Sequence, residues 1–149
     1  MSSSVGEGLV TIGRDLQPNP MIATSWEVSD DFLEWTWTIR DDVDFHKGYG
    51  HMTTEDVIYS LEGFYTGAKL ARAGILGNYY GFDGKGDSST TIIDDYTYVV
   101  KNSKPWVPAT VNEFSRNAAG VSVWMVSKKQ SDELGIDKAS LDIASTGPW

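Results

Sequence analysis

"SWEVSDDFLEWTWTIR", residues 25–40, is the stretch from which the fold can be read. Leu33, Trp35, Trp37 and Ile39 occupy one parity and Glu34, Thr36, Thr38 and Arg40 the other, a two-residue period that belongs to a strand with one wet face. Trp26 and Val28 alternate with polar residues in the same way, and Ser29-Asp30-Asp31-Phe32 between the runs is turn chemistry. The stretch is therefore predicted to be a hairpin. Its tryptophans form the apolar side of a half-buried sheet, and its acids sit at the turn and ends. Parity favours core packing of Trp35 and Trp37 over ligand stacking.

Working outward, "MTTEDVIYSLEGFYTG", residues 52–67, places Val57, Ile58, Leu61, Phe64 and Tyr65 at helical spacing. Thr53 with Asp56 resembles a capping box, and Gly67 is a natural stop. Upstream, "GLVTIG" and "MIATSW" read as short strands around the proline-bearing turn "RDLQPNP". Between Thr66 and Thr91, scattered glycines and a Ser/Thr run predict loops around a short helix near Ala68 to Ala73. "TTIIDDYTYVVKNSKP", residues 90–105, restores alternation and predicts a second hairpin turning at Asp94-Asp95. Pro108 can start a helix carrying Val111 and Phe114, and "VSVWMVS" reads as a short buried strand. "SKKQSDELG" reads as a last helix with Ser127 or Ser131 near its cap. The expectation is one domain over residues 1–149 of α+β class: a mainly antiparallel sheet with hairpins and a few packed helices.

Composition narrows the function. Apolar residues make up 40% of the chain, and no stretch is long and apolar enough to cross a bilayer. A net charge of -9 repels phosphate backbones and anionic lipid, so nucleic acid and membrane surfaces are not expected as partners. Without cysteine there are no disulfides, thiolate nucleophiles or cysteine-ligated zinc. "MSSSVGEGLV" has neither the charged nor the apolar region of a secretory leader, so the protein either stays inside or is a piece of something longer.

Reactive constellations are weak. In "GFDGKGDSS", Asp87 follows Gly86 where a phosphate loop needs Lys, and as a calcium loop Lys85 falls on a ligand position. His46 and His51, the two histidines, are five apart in a glycine-containing turn and read as a solvated loop rather than a metal site. Asp30/Asp31, Asp41/Asp42 and Asp94/Asp95 each lie at a predicted turn, where Asp bonds the local backbone. No catalytic residue, metal or cofactor is predicted, and the chain does not read as an enzyme.

The order of segments is more specific than any motif. "EGLVTIGRDLQPNPMIATSWEVSDDFLEWTWTIRDDVDFHKG", "TTEDVIYSLE", "IIDDYTYVVKNSKPW", "VSKK" and "TGPW", in that sequence, resemble the first part of the extracytoplasmic solute-binding proteins of ABC importers, the oligopeptide, dipeptide and nickel class known as family 5. The match extends over nearly the whole chain. The resemblance implies a sub-domain of the first lobe in a two-lobed periplasmic binding protein, which captures a peptide or similar small solute, nickel chelates included, and delivers it to ABC importer permease subunits. Family members run to several hundred residues. The expectation is thus a fragment lacking the export signal before it and the closing lobe after it, unable to bind alone.

The chain departs from the family pattern at three places. Phe32 stands where glycine is usual after S-x-D, so any positive backbone angle is expected to move to Asp30 or Asp31, or the turn to differ. "HKGYGHMT" is one residue longer than its counterpart and lacks the usual proline, and Gly6 replaces a frequent tyrosine. Candidate solute contacts lie outside the hairpin cores: Tyr79, Tyr80, Arg116 and Trp124, where an aromatic can cover a solute face and an arginine can pair with a carboxylate. The alternative reading is a stand-alone carbohydrate-binding module that stacks sugar on an exposed row of Trp26, Trp35, Trp37 or Trp106. A small acidic hydrolase would need two carboxylates converging from different segments. Uncovered lobe surface is also expected to cause self-association through "GLVTIG" or "STGPW".

Overall fold

A computed structural model describes residues 7–15, 17–67, 79–82, 84, 86–105 and 123–146. In chain order its strands are β1 (Val10–Ile12), β2 (Pro18–Pro20), β3 (Ala23–Val28), β4 (Glu34–Ile39), β5 (Asp44–Phe45), β6 (Gly50–His51), β7 (Ser89–Asp94) and β8 (Thr97–Lys101). Its helices are α1 (Thr54–Gly67), α2 (Lys128–Leu134) and α3 (Ile136–Leu141).

The alternating stretch forms the expected hairpin. β3 pairs antiparallel with β4, Trp26 opposite Trp37 and Val28 opposite Trp35. Trp35, Trp37 and Ile39 keep only 4%, 1% and 2% of their surface exposed, so their shared parity is the core face. β8 pairs with the other edge of β4, Tyr98 opposite Trp37, and β7 completes an antiparallel sheet ordered β3-β4-β8-β7. The centre of this sheet is therefore a seam between two hairpins. Along it the rings of Trp37 and Tyr98 stack at 6.4 Å, with Trp35 at 6.3 Å and Trp26 at 5.6 Å from Trp37.

Helix α1 buries Val57, Leu61 and Tyr65, one stripe at four-residue spacing, among the same core residues. Its start is tied to the second hairpin: the Thr54 N–H and hydroxyl donate to the Asp95 and Asp94 carbonyls at 2.8 and 2.7 Å. The back half of the expected capping box is present, with the Thr53 N–H donating to Asp56 Oδ2 at 3.0 Å. Among the described residues no helix is long and apolar enough to cross a membrane.

Several local expectations are corrected. The positive angle of the first turn stays at Phe32, at φ 58°, and does not move to Asp30 or Asp31. The turn is held by local bonds: Ser29 Oγ donates to Asp31 Oδ1 at 2.6 Å, and the Leu33 and Glu34 N–H groups reach Asp31 Oδ1 and Ser29 Oγ. The Ser29 hydroxyl, followed by the Leu33 N–H, holds the Asp31 carboxyl below its ordinary range. Pro18–Pro20, expected as turn, is strand β2, an edge strand beside β1 where a missing N–H is tolerated. "VSVWMVS" forms no strand in its described part; a single bridge joins Val126 to Ser145. Ser127, not Ser131, caps α2, and Gly135 at φ 78° turns the chain into the unexpected α3.

"GLVTIG" pairs with β2 along one side only. Leu9 and Val10 are buried, Ile22 and Ala23 donate to the Gly8 and Leu9 carbonyls, and Met125 donates to that of Glu7. The expected helices near Ala68 to Ala73 and after Pro108 lie outside the described residues.

Phe32 is 40% exposed, so its ring is not what fixes its backbone. An L-residue in the left-handed region costs about 1–2 kcal/mol, and glycine gives back about 0.5–1 kcal/mol of that through the freedom it gains when unfolded. Phe32→Gly is expected to stabilise the chain by roughly 0.5–1 kcal/mol. Thermal unfolding reads this as a raised Tm; a lowered Tm would mean that the ring contributes more than the angle costs.

Candidate functional site

Trp124 lies in a groove of about 640 Å³ between α1, the 123–126 segment, α2 and α3. The α1 wall is made by Tyr59, Ser60, Gly63 and Phe64, the last also packed against the core. Val123, Val126, Ile136, Ala139 and Ile143 complete the apolar lining, and no charged side chain is among the described lining residues. The volume is in the range of small-molecule pockets.

Internal bonds fix these walls and occupy most of their polar groups. Ser60 Oγ donates to the Asp56 carbonyl at 2.7 Å and accepts from the Val126 N–H at 3.0 Å, joining α1 to the 123–126 segment. Asp56 accepts from the Lys128 N–H at 2.9 Å through Oδ1 while Oδ2 holds Thr53, so one buried carboxylate serves the first turns of α1 and α2. Gln130, 2% exposed, donates from Nε2 to the Asp142 carbonyl and accepts from the Ala144 N–H, clamping the return of α3 against α2. Ser131 donates to the Ser127 carbonyl and Ser140 to that of Asp137. The Trp124 indole N–H is buried without a hydrogen-bond partner.

Tyr79 and Tyr80 lie elsewhere. Tyr80 is fully buried, stacked on Tyr65 at 5.4 Å and on Phe82 at 5.4 Å, with Tyr79 edge-on at 5.0 Å. Both belong to the core on the Tyr65 side of α1, whereas Trp124 lines the groove on the Tyr59 side. Gly81, at φ 75°, makes their packing possible: a Cβ there would sit 2.2 Å from the Ser88 carbonyl oxygen. Arg116 and Trp106 lie outside the described residues. The four sequence candidates are thus not brought into one site. Tyr59, Gly63 and Gln130 are not among the sequence candidates, and Phe64 is read there only as part of the apolar stripe of α1; Gln130 looks like a surface residue until α3 folds back on it.

Among the described residues no group of three or more His, Cys, Asp or Glu is placed to hold a metal. Trp35 and Trp37 lie on the inner sheet face and Trp26 is half-buried against Trp37, so these indoles make no exposed row for sugar stacking.

Comparison with known proteins agrees with this architecture. Residues 17–149 match the model of the bacterial extracellular solute-binding proteins, family 5. The dipeptide-binding protein DppE of Bacillus subtilis is 30% identical over 111 residues, which are 69% of this chain and 20% of DppE. The periplasmic oligopeptide-binding protein OppA of Haemophilus influenzae is 31% identical over 116 residues, 71% of this chain and 21% of OppA. The periplasmic binding protein DppA of Helicobacter pylori, in complex with the peptide STSA, superposes with a TM-score of 0.70 at 23% identity, over 99% of this chain and 30% of DppA. The chain belongs to the family 5 solute-binding proteins, and it spans about a fifth of the curated relatives it matches. Its α+β fold is that of a sub-domain in their structures.

Proposed function

We propose that this chain is part of the solute-binding component of an ABC importer, a first-lobe piece that captures a peptide or similar small solute outside the cytoplasm only together with the rest of its lobes. The observation that carries this is the family match over residues 17–149, with relatives named for dipeptide and oligopeptide binding. A cleft between lobes buries most of a solute's surface, so one sub-domain supplies a share of the contacts and the second lobe closes over the rest. The neutral groove beside Trp124 supports a role as a wall that covers an apolar portion of the solute. Arg116, Tyr79 and Tyr80 remain proposed contributors, the tyrosines as support for the loop that follows them. Delivery goes to the importer's permease subunits, and no step of chemistry is assigned to the chain.

Calorimetry of the 149-residue chain against di- to pentapeptides tests the division of labour. No heat of binding is expected at micromolar concentration, whereas the same segment within a full-length protein should bind. Micromolar binding by the chain alone would place a complete site within these residues and overturn the proposal.

A further inference from the structure

The connection "HKGYGHMT", where the chain departs from the family pattern, folds into a small ribbon with a chemistry of its own. β5 and β6 pair antiparallel, Asp44 opposite His51, around a tight turn in which Lys47 and Gly48 take positive φ, as does Gly50 at the start of β6. His51 closes the open end of this ribbon. Its Nδ1 lies 2.9 Å from Asp44 Oδ1, and its Nε2 meets the Asp41 backbone carbonyl. The ring is edge-on to Tyr96 of the second hairpin, with centroids 6.3 Å apart.

Both partners accept and neither donates. A backbone carbonyl has no proton to give and an ionised carboxylate has none either, while a neutral imidazole offers a single N–H. Only the imidazolium satisfies both contacts at once. The surrounding charges agree: Asp41 and Asp44 are the nearest acids, and Asp42, whose carboxylate takes a bidentate bond from Arg40 at 2.7 and 2.9 Å, adds to the field. From the other elements nearby, Tyr96 presents a ring, and of the acids in the first turn of α1, Asp56 is committed to Thr53 and Lys128 while Glu55 is exposed.

We propose that His51 is a proton-operated latch: as an imidazolium it pins the β5–β6 ribbon to the turn after β4, and on losing its proton it releases one of the two sides. The ribbon passes this on because it holds the far end of the chain. Lys47 Nζ donates to the Asp142 carbonyl at 2.8 Å and pairs with its carboxylate, and the His46 N–H donates to the Ser145 carbonyl at 3.1 Å. Ile143, between those two anchors, lines the groove. Proton loss at His51 therefore loosens the support of one groove wall without touching any lining residue.

The sign follows from the contacts. Asp44, then the Asp41 carbonyl, raise the His51 pKa above 6.5 in the folded chain. The latch is fully closed below about pH 6.5, the unfolded-state value, and opens as pH rises through the higher folded-state value.

Ring nitrogen and carbon chemical shifts, followed by NMR from pH 5 to 9, test the latch directly. At pH 6 both His51 nitrogens are expected to be protonated, with a midpoint above that of the same residue in the urea-unfolded chain. Asp44→Asn should lower the midpoint; Asp44 is exposed and begins a two-residue strand, so the fold is not at stake. Amide exchange at Met52, whose N–H donates to Val43, and at His46 should quicken through the same midpoint after correction for base catalysis, and His51→Gln should abolish that step. A midpoint at or below the unfolded value, or the same exchange profile in wild type and His51→Gln, would overturn the proposal.

Discussion

Trp37→Ala is expected to destabilise the chain by about 3–5 kcal/mol, the usual cost of truncating a large buried aromatic. Trp37 is 1% exposed, sits in one of the two central strands and contacts Trp26, Trp35 and Tyr98. Removing it opens a void at the seam where the two hairpins meet, and the neighbouring rings cannot collapse into it without breaking the β4–β8 register. Since domains of this size have total stabilities of only about 5–15 kcal/mol, the loss is a fifth or more of the whole, and the variant should unfold at a clearly lower urea midpoint than wild type. Trp26→Ala is the control. Trp26 is half-buried on an edge strand, and its truncation should cost about 1–2 kcal/mol. Urea unfolding followed by far-UV circular dichroism compares them, and a larger loss for Trp26→Ala would refute this placement of the core.

Asp56→Ala is expected to cost about 3 kcal/mol by a different route. Its carboxylate, 8% exposed, accepts the backbone N–H of both Thr53 and Lys128. Without it two donors at helix starts lose their acceptor at once, and charge-assisted bonds of this kind contribute about 1.5–3 kcal/mol each. Asp56→Asn recovers at most one of them, because its NH₂ would face an N–H, so it should fall between Ala and wild type. The damage should also be local. Amide exchange should quicken at Lys128 and through α2, and change least in β4 and β8. Uniform loss of protection across the sheet would show that the two helix starts are not coupled through this residue.

Both hairpins were legible in the sequence because each writes its burial in a two-residue period: Leu33 to Ile39 in the first, Tyr96 to Val100 in the second. α1 was legible for a similar reason, its Val57, Leu61 and Tyr65 stripe lying between a polar cap and a glycine. What the sequence does not encode locally is pairing across distance. Nothing in "RDLQPNP" says that Pro18–Pro20 will lie against Val10–Ile12, since prolines signal a turn unless a neighbouring strand is known. Phe32 was expected to avoid the left-handed region on steric grounds, but the Asp31 and Ser29 bonds fix the turn more strongly than the side chain resists it. The groove is the least legible feature of all. Its walls come from α1, α2, α3 and the 123–126 segment; of the residues that brace it, Ser60 and Gln130 are polar ones that pattern reading assigns to the surface, and Asp56 is read as a cap for α1 without its second bond to Lys128.

The strand order carries a kinetic consequence. Each hairpin closes a short loop and can zip within microseconds, but the β4–β8 contact sets Thr38 against Thr97 and must first bring together two distant points of the chain. The slow event on the way to the native state is therefore the meeting of two ready-made ribbons. Its entropic cost grows only as the logarithm of the intervening length, about 0.6 kcal/mol per doubling, which leaves evolution free to lengthen or shorten that span while the sheet's pairing stays the same.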